Sequence, residues 1–233
     1  MLDSIKISDG IYRIPTLFSH AINSFALIDD DDKVVLIDAG LKGSTKKLIS
    51  ALDSIGKQPT DVKMILLTHA HSDHLGGVNN FNAHSHSPVL IHDSDKKYAQ
   101  DGKAPEVESA LAKVFTLFNK NIDKVSIADT FKDDDILKVR DGIQVIHTPG
   151  HTPGHVSFYD KKTGTLITGD ALFNMRDKIT HSVKLFCYDS KMAKESTIRL
   201  GDLDVEAIGF MHGREIIQNA KNTLKDFLIK KSQ

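Results

Sequence analysis

Apolar residues recur along the chain in two rhythms. IYRIP (11–15), SFALI (24–28) and VVLID (34–38) are short apolar runs set off by turn-forming residues, which predicts strands joined by tight turns. The acidic DDDDK (29–33) between two of them reads as a solvated hairpin turn. From Ser44 to Gly56 the rhythm changes: Leu48, Ala51, Leu52 and Ile55 fall three and four apart, with Ser or Thr to cap and Gly56 to stop an amphipathic helix. MILLT (64–68) follows, apolar until its last residue. A β–α–β order with two such apolar strands predicts burial on both faces of the sheet.

HLGGVNNF (74–81) predicts a short helix and PVLIH (88–92) the next strand. The charged segment 93–140 is expected as a helical insertion, because EVESALAKVFTLFNK within it aligns Val107, Leu111, Val114 and Phe118 on one stripe. It is where a substrate lid or a homodimer contact would be sought. IQVIHTPG (143–150), HVSFYD (155–160) and TLITGD (165–170) predict three more strands. KMAKESTIRLGDL (191–203) predicts a helix, AIGFMHG (207–213) a last strand, and NTLKDFLIKK (222–231) a terminal amphipathic helix. Strands in two sets, each with its own helices, favour an α/β sandwich of two packed sheets over one doubly wound sheet.

At 233 residues the chain can bury a large core, and it is read as one domain over 1–233. Lys and Arg number 30 against 31 Asp and Glu, so no positive field exists to hold nucleic acid. Cys187 is the only cysteine, which rules out an internal disulfide and a thiolate zinc site and fits a reducing compartment. MLDSIKISDGIYRI has no basic segment leading into an apolar stretch, and no window approaches the ~18 apolar residues of a spanning helix. The expectation is a cytoplasmic protein with no membrane partner.

LLTHAHSDHLGG (66–77) places three histidines and an aspartate in six positions after an apolar strand. In an extended loop, side chains two apart share a side, so His69 and His71 can chelate one cation together. Asp73 and His74 then face a second. Imidazole and carboxylate suit zinc, iron or manganese near neutral pH. Four groups cannot fill two sites, so further ligands are expected at other strand ends, where His151, Asp170 and His212 stand.

In order and separation, THAHSDHLGG, GHTPGHVS, LITGD and the late MHG resemble the metallo-β-lactamase-fold hydrolases. The similarity runs from ISDGIYRI through VVLIDAG to MHG, with 93–140 matching least. It implies a four-layer αββα sandwich of two mixed β-sheets with a binuclear centre at one edge. By that resemblance His69, His71 and His151 hold the first of two divalent ions, zinc foremost, and Asp73, His74 and His212 the second. Asp170 bridges them, and Asp73 also orients the attacking hydroxide. Asp38 either orients a ligand imidazole or caps the turn through Gly40. His155 is expected to fix the loop that presents His151, and Cys187 to be a small buried hydrophobe.

Such a centre attacks the carbonyl of a small thioester, lactone or ester, and ranks a β-lactam lower. Glyoxalase-II-type thioesterases and acyl-homoserine lactonases both resemble the motif set. The former append a helical domain that the 21 residues after His212 do not supply. Arg176 or Arg214 could pair with a substrate carboxylate, and Tyr159 or Tyr188 could donate to a carbonyl. An iron-dependent oxidative enzyme resembling the persulfide dioxygenases, a phosphodiesterase and a non-catalytic binding module are the competing classes. His84 and His86 repeat the i, i+2 spacing without an acidic neighbour and are not expected as ligands. His20, His92, His147 and His181 read as structural or solvent-facing, with His20 and His181 in loops that could border the cleft.

Overall fold

Strands buried on both faces need a layer on each side, and the chain supplies them. A computed structural model describes residues 4–109 and 122–232. Seven strands form the first sheet in sequence order: β1 (Ile5–Ser8), β2 (Ile11–Leu17), β3 (Ile22–Ile28), β4 (Val34–Ile37), β5 (Val62–Leu66), β6 (Val89–His92) and β7 (Asp129–Phe131). β1 to β4 pair antiparallel, whereas β4 to β7 are parallel. The crossovers carry α1 (Thr45–Asp53), α2 (Ser72–Leu75), α3 (Val78–Ser85) and α4 (Asp93–Asp101).

The second sheet has the order β14-β11-β10-β9-β8, formed by β8 (Ile136–Leu137), β9 (Ile143–His147), β10 (Val156–Asp160), β11 (Thr165–Ile167) and β14 (Ala207–Gly209). All its pairs are antiparallel except β11 with β14. A separate hairpin joins β12 (Leu172–Met175) to β13 (Lys178–His181). Two further helices, α5 (Ser190–Ser196) and α6 (Ala220–Ser232), flank β14 in sequence.

Side-chain alternation sorts the apolar residues into three cores. In β4, Val34 and Leu36 join Leu48, Ala51 and Leu52 of α1, while Val35 and Ile37 turn inward between the sheets. There they meet Phe25, Leu66 and Phe131 of the first sheet and Val145, Val156, Phe158 and Ile167 of the second. On the far side Leu166 and Ile208 pack with Leu224 and Leu228 of α6. The result is the α–β–β–α layering of two mixed sheets expected from the sequence.

Several elements differ from expectation. Segment 93–140 is helical over Asp93–Asp101, but it ends by adding β7 to one sheet and β8 to the other. Glu106 to Ser109 are irregular, and the remainder of the expected helical stripe, with Leu111, Val114 and Phe118, lies outside the described residues. The β12–β13 hairpin gave no sequence signal because its turn is Arg176-Asp177, both at positive φ (54° and 60°), rather than an Asn-Gly or Asp-Gly pair. Among the described residues no helix is long and apolar enough to cross a membrane.

Strand direction then places the chemistry. β4 and β5 are parallel, so Asp38 and the His69 loop leave the first sheet at one edge. β9 and β11 are each antiparallel to β10, and β14 is parallel to β11, so all three of these strands end at one edge of the second sheet. His151, Asp170 and His212 follow those three ends.

The inner core ties the two sheets together, and Phe158 is among its largest fully buried side chains, edge-on to Phe131 at 5.6 Å. Phe158→Ala is expected to cost about 3–5 kcal/mol in urea unfolding, with the m-value unchanged. A loss below about 1 kcal/mol would contradict this packing.

Candidate metal centre

The loop after β5 is held by a buried carboxylate. Asp38 Oδ1 accepts from the Thr68 backbone N–H at 2.8 Å, and its Oδ2 accepts from Thr68 Oγ1 and His74 Nδ1, each at 2.7 Å. Asp38 has a φ of 57°, a left-handed geometry that aspartate tolerates. Of the two readings of Asp38, the one that orients an imidazole is what the contacts display. Thr68 gives its hydroxyl proton to Asp38, so His69 Nδ1, at 3.0 Å, is the donor toward Thr68 Oγ1. His69 and His74 therefore both turn Nε2 toward the centre.

α2 brings Asp73 and His74 to the same place. Its approach depends on Gly77, where a Cβ would lie 2.1 Å from the Ala39 carbonyl oxygen. Across this contact Ala39 N–H donates to His74 O and Gly77 N–H to Gly40 O. On the opposite side His155, fully buried, accepts the Asp170 backbone N–H on Nε2 at 2.7 Å and donates from Nδ1 to Thr148 O. Burial pushes His155 down to about 3, so it stays neutral. It supports the Asp170 and His151 loops without being grouped with the acceptors.

The fixing of His212 was not foreseen. Its Nδ1 donates to Ala21 O at 2.7 Å. The buried amide of Asn23 donates to both Phe210 O and Gly213 O, while Arg13 Nη1 donates to Asn23 Oδ1 and its Nε pairs with Glu215 at 2.6 Å. Asn23 and Arg13, polar residues inside otherwise apolar strand runs, were the available signal.

The seven expected residues come together. His71 Nδ1 lies 3.0 Å from His69 Nε2 and 2.9 Å from His151 Nε2. Asp73, His74 and His212 form a second group, with Asp73 Oδ2 3.7 Å from His74 Nε2 and 3.5 Å from His212 Nε2. Asp170 spans both: Oδ2 is 3.3 Å from His151 Nε2, and Oδ1 is 3.3 Å from both His74 Nε2 and His212 Nε2. His74 Nε2 and Asp170 Oδ1 are buried without a hydrogen-bond partner. Buried polar atoms so poorly satisfied cost free energy, and a divalent cation taking the place of the His74 proton fits this set of nitrogen and oxygen ligands.

The charges agree. Burial holds His69 and His151 well below the ordinary histidine range and lowers His71, leaving lone pairs available. For His74 burial acts in the same sense, but Asp170, Asp73 and Asp38 outweigh it and push the group well above that range. His212 is pushed up to about 10 against its burial, by Asp170 and Asp73. Burial would raise both carboxyls, yet His74 and His212 hold Asp73 and Asp170 below the usual carboxylate range.

A cleft of about 590 Å³ opens over the group. It is lined by His71, Asp73, His151, Asp170 and His212 together with Val107, Ile122, Phe173, Met175, Val183 and Phe186. Arg176 and His20 border it. Arg214 and Tyr188 are not among its walls, and Tyr159 donates to Asp204 O on the far side of its sheet. His181 packs on Phe227 rather than on the cleft. His84 and His86 are exposed around the end of α3, and His92 stacks on His147 with ring centroids 4.2 Å apart. Cys187 is buried, its thiol pushed up to about 11 by that burial, and joins none of the groups.

The family model of the metallo-beta-lactamase superfamily matches residues 20–212. A probable metallo-hydrolase YflN of Bacillus subtilis is 32% identical over 211 residues, 82% of this chain and 79% of the relative. Hydroxyacylglutathione hydrolase GloC of Haemophilus influenzae is 31% identical over 65% of this chain and 66% of its own length. An N-acyl homoserine lactonase from a Bacillus species is 29% identical over 67% of this chain and 57% of its own. Among solved structures, a metallo-beta-lactamase mutant of Cronobacter sakazakii superposes with a TM-score of 0.74 at 18% identity, over 99% of this chain and 92% of that one.

Protons and cations compete for the same acceptors on His74 and His212. Metal uptake at pH 7 is therefore expected to release about one to two protons per chain, and affinity to rise with pH between 6 and 8. Calorimetric titration in buffers of different ionisation enthalpy measures this. Uptake without proton release would contradict the charge assignment.

Proposed function

The chain belongs to the metallo-β-lactamase superfamily, and we propose that it is a hydrolase whose centre holds two divalent cations and cleaves the acyl C–S or C–O bond of a small thioester, lactone or ester by attack of hydroxide on its carbonyl carbon. His69, His71 and His151 would hold one, Asp73, His74 and His212 the other, with Asp170 between them. The observation that carries this reading is the convergence of five imidazoles and two carboxylates, with Asp170 oxygens 3.3 Å from His74, His151 and His212 alike. Zinc fits the set foremost, and manganese or iron take the same ligands.

Two such cations supply hydroxide near neutral pH and polarise a carbonyl oxygen. The chain's own residues do the rest. Asp73, which lines the cleft with its carboxylate ionised, can accept and orient the proton of the attacking water. Asp38 and Ala21 keep the Nδ1 positions of His74 and His212 occupied, so neither ring can turn away. The apolar residues of the cleft, from Val107 to Phe186, suit an aliphatic part of the substrate, and Phe173 packs edge-on against His212 with ring centroids 4.8 Å apart.

Relatives named as a hydroxyacylglutathione hydrolase and as an N-acyl homoserine lactonase support carbonyl hydrolysis and divide between thioester and lactone. The carboxylate-bearing second group favours two metals over the mononuclear iron of the oxidative alternative.

Metal analysis of the purified chain is expected to show close to two equivalents. Across S-lactoylglutathione, acyl-homoserine lactones, a chromogenic β-lactam and bis-p-nitrophenyl phosphate, kcat/KM should be highest on a thioester or lactone. His71→Ala should abolish turnover with the fold intact, and Asp73→Asn should lower kcat by about 10²–10⁴. Full activity in His71→Ala, or highest turnover of the phosphodiester, would overturn the reading.

A further inference from the structure

One buried carboxylate stands close to the centre without belonging to it. Asp95, in the first turn of α4, has no exposed surface, and none of the ion pairs among the described residues includes it. It accepts three hydrogen bonds, none of them from its own helix. Ala70 N–H reaches Oδ2 at 2.9 Å, Thr152 Oγ1 reaches the same oxygen at 2.7 Å, and Gly154 N–H reaches Oδ1 at 2.6 Å.

The donors are what matter. Ala70 lies between His69 and His71, and Thr152 follows His151 directly. The two loops that bring the three nitrogens together therefore hang from a single carboxyl group. Their approach is close enough that a Cβ on Gly154 would sit 2.6 Å from Asp95 N and 2.8 Å from Asp95 Oδ1. In the run HTPGH, Thr152 thus supplies a donor and Gly154 supplies room, while Pro153 O accepts from His147 Nε2 at 2.9 Å. Burial raises the Asp95 carboxyl although all three bonds oppose it, so the group carries a desolvation cost that helix formation does not require. The helix is capped instead by His92, whose Nδ1 accepts from Ser94 N–H.

We propose that Asp95 is a positioning residue that fixes the spacing between the His69–His71 loop and the His151 loop, and thereby sets the cation affinity of the three-nitrogen site without touching the cation. This rests on the two-cation reading above. With the clamp in place, His71 Nδ1 is held within 3.0 Å of His69 Nε2 and His151 Nε2. Without it, the site must order two loops on binding, and that entropy is subtracted from the affinity. Asp38 binds His74 directly and reaches His69 only through Thr68, whereas Asp95 touches both loops of the three-nitrogen site and neither ring of the other.

The test is a titration of the metal-stripped full chain with Zn²⁺ against a chromophoric chelator, in which the step lost in His71→Ala identifies the three-nitrogen site. Asp95→Asn keeps the shape but sets an NH₂ against at least one N–H or O–H donor. It is expected to weaken that step about 10- to 100-fold, with the other step within about 3-fold of wild type. Thr152→Val, which removes one donor and leaves the carboxylate, should weaken the same step several-fold. The double variant should lose less than the product of the two effects, because both act through one contact.

If Asp95→Asn fails to fold, Thr152→Val decides alone, and wild-type affinity in it would overturn the proposal. Equal weakening of both steps would also overturn it, since that marks a general structural role. A wild-type chain that takes up two ions while both variants match it removes the clamp and leaves the two-cation reading standing. A wild-type chain that takes up none removes both.

Discussion

Five imidazoles and two carboxylates converge at one end of the sandwich, with acceptor atoms 2.9 to 3.7 Å apart and most of them buried. Nothing in folding favours this. The interior strengthens every uncompensated interaction, and an unpaired buried acceptor costs about 1–3 kcal/mol. The protein tolerates the cluster because surrounding groups fix each ring, and because the cluster's own carboxylates and imidazoles partly neutralise one another. The remaining deficit, concentrated at His74 Nε2 and Asp170 Oδ1, is what a cation relieves.

The fold can be understood as the means of holding that arrangement. Two mixed sheets share an apolar interior, and the strands preceding the site residues all end at one rim. Each loop is then tied to something rigid: the His69 loop to Asp38 and Asp95, the Asp170 turn to His155, and the His212 loop to Asn23 and Ala21. Two of these ties end on the buried carboxylates Asp38 and Asp95, whereas those of the Asp170 and His212 loops run through the neutral groups His155, Asn23 and the Ala21 carbonyl. Arg13 joins the last of them from inside β2, where Glu215 balances it.

Much of this was legible in the sequence. Apolar runs located the strands of both sheets apart from β1, β7 and β8, because a strand buried on both faces leaves an unbroken signature, as VVLI does. The seven residues that the structure brings together stand in the motifs that carried the family resemblance, each at or just after the end of such a run. The supporting residues were harder to read. Asp95 sits in HDSDKK among charged neighbours, and only the fold distinguishes it, buried, from the exposed Asp93. β7 and β8 are too short to show alternation, and the Arg176-Asp177 turn has neither Asn nor Gly, only an aspartate that tolerates its left-handed backbone. The apolar wall of the cleft, drawn from residues as distant as Val107 and Phe173, has no local pattern at all.

The claim on which the rest depends is that one group of side chains holds two ions with a shared carboxylate. Anomalous diffraction from crystals of the metal-loaded chain, collected at the absorption edge of the bound element, tests it directly. Two peaks are expected about 3.5–4 Å apart, one among His69, His71 and His151 and the other among Asp73, His74 and His212, with Asp170 between them. A single peak, or peaks away from these residues, would contradict it.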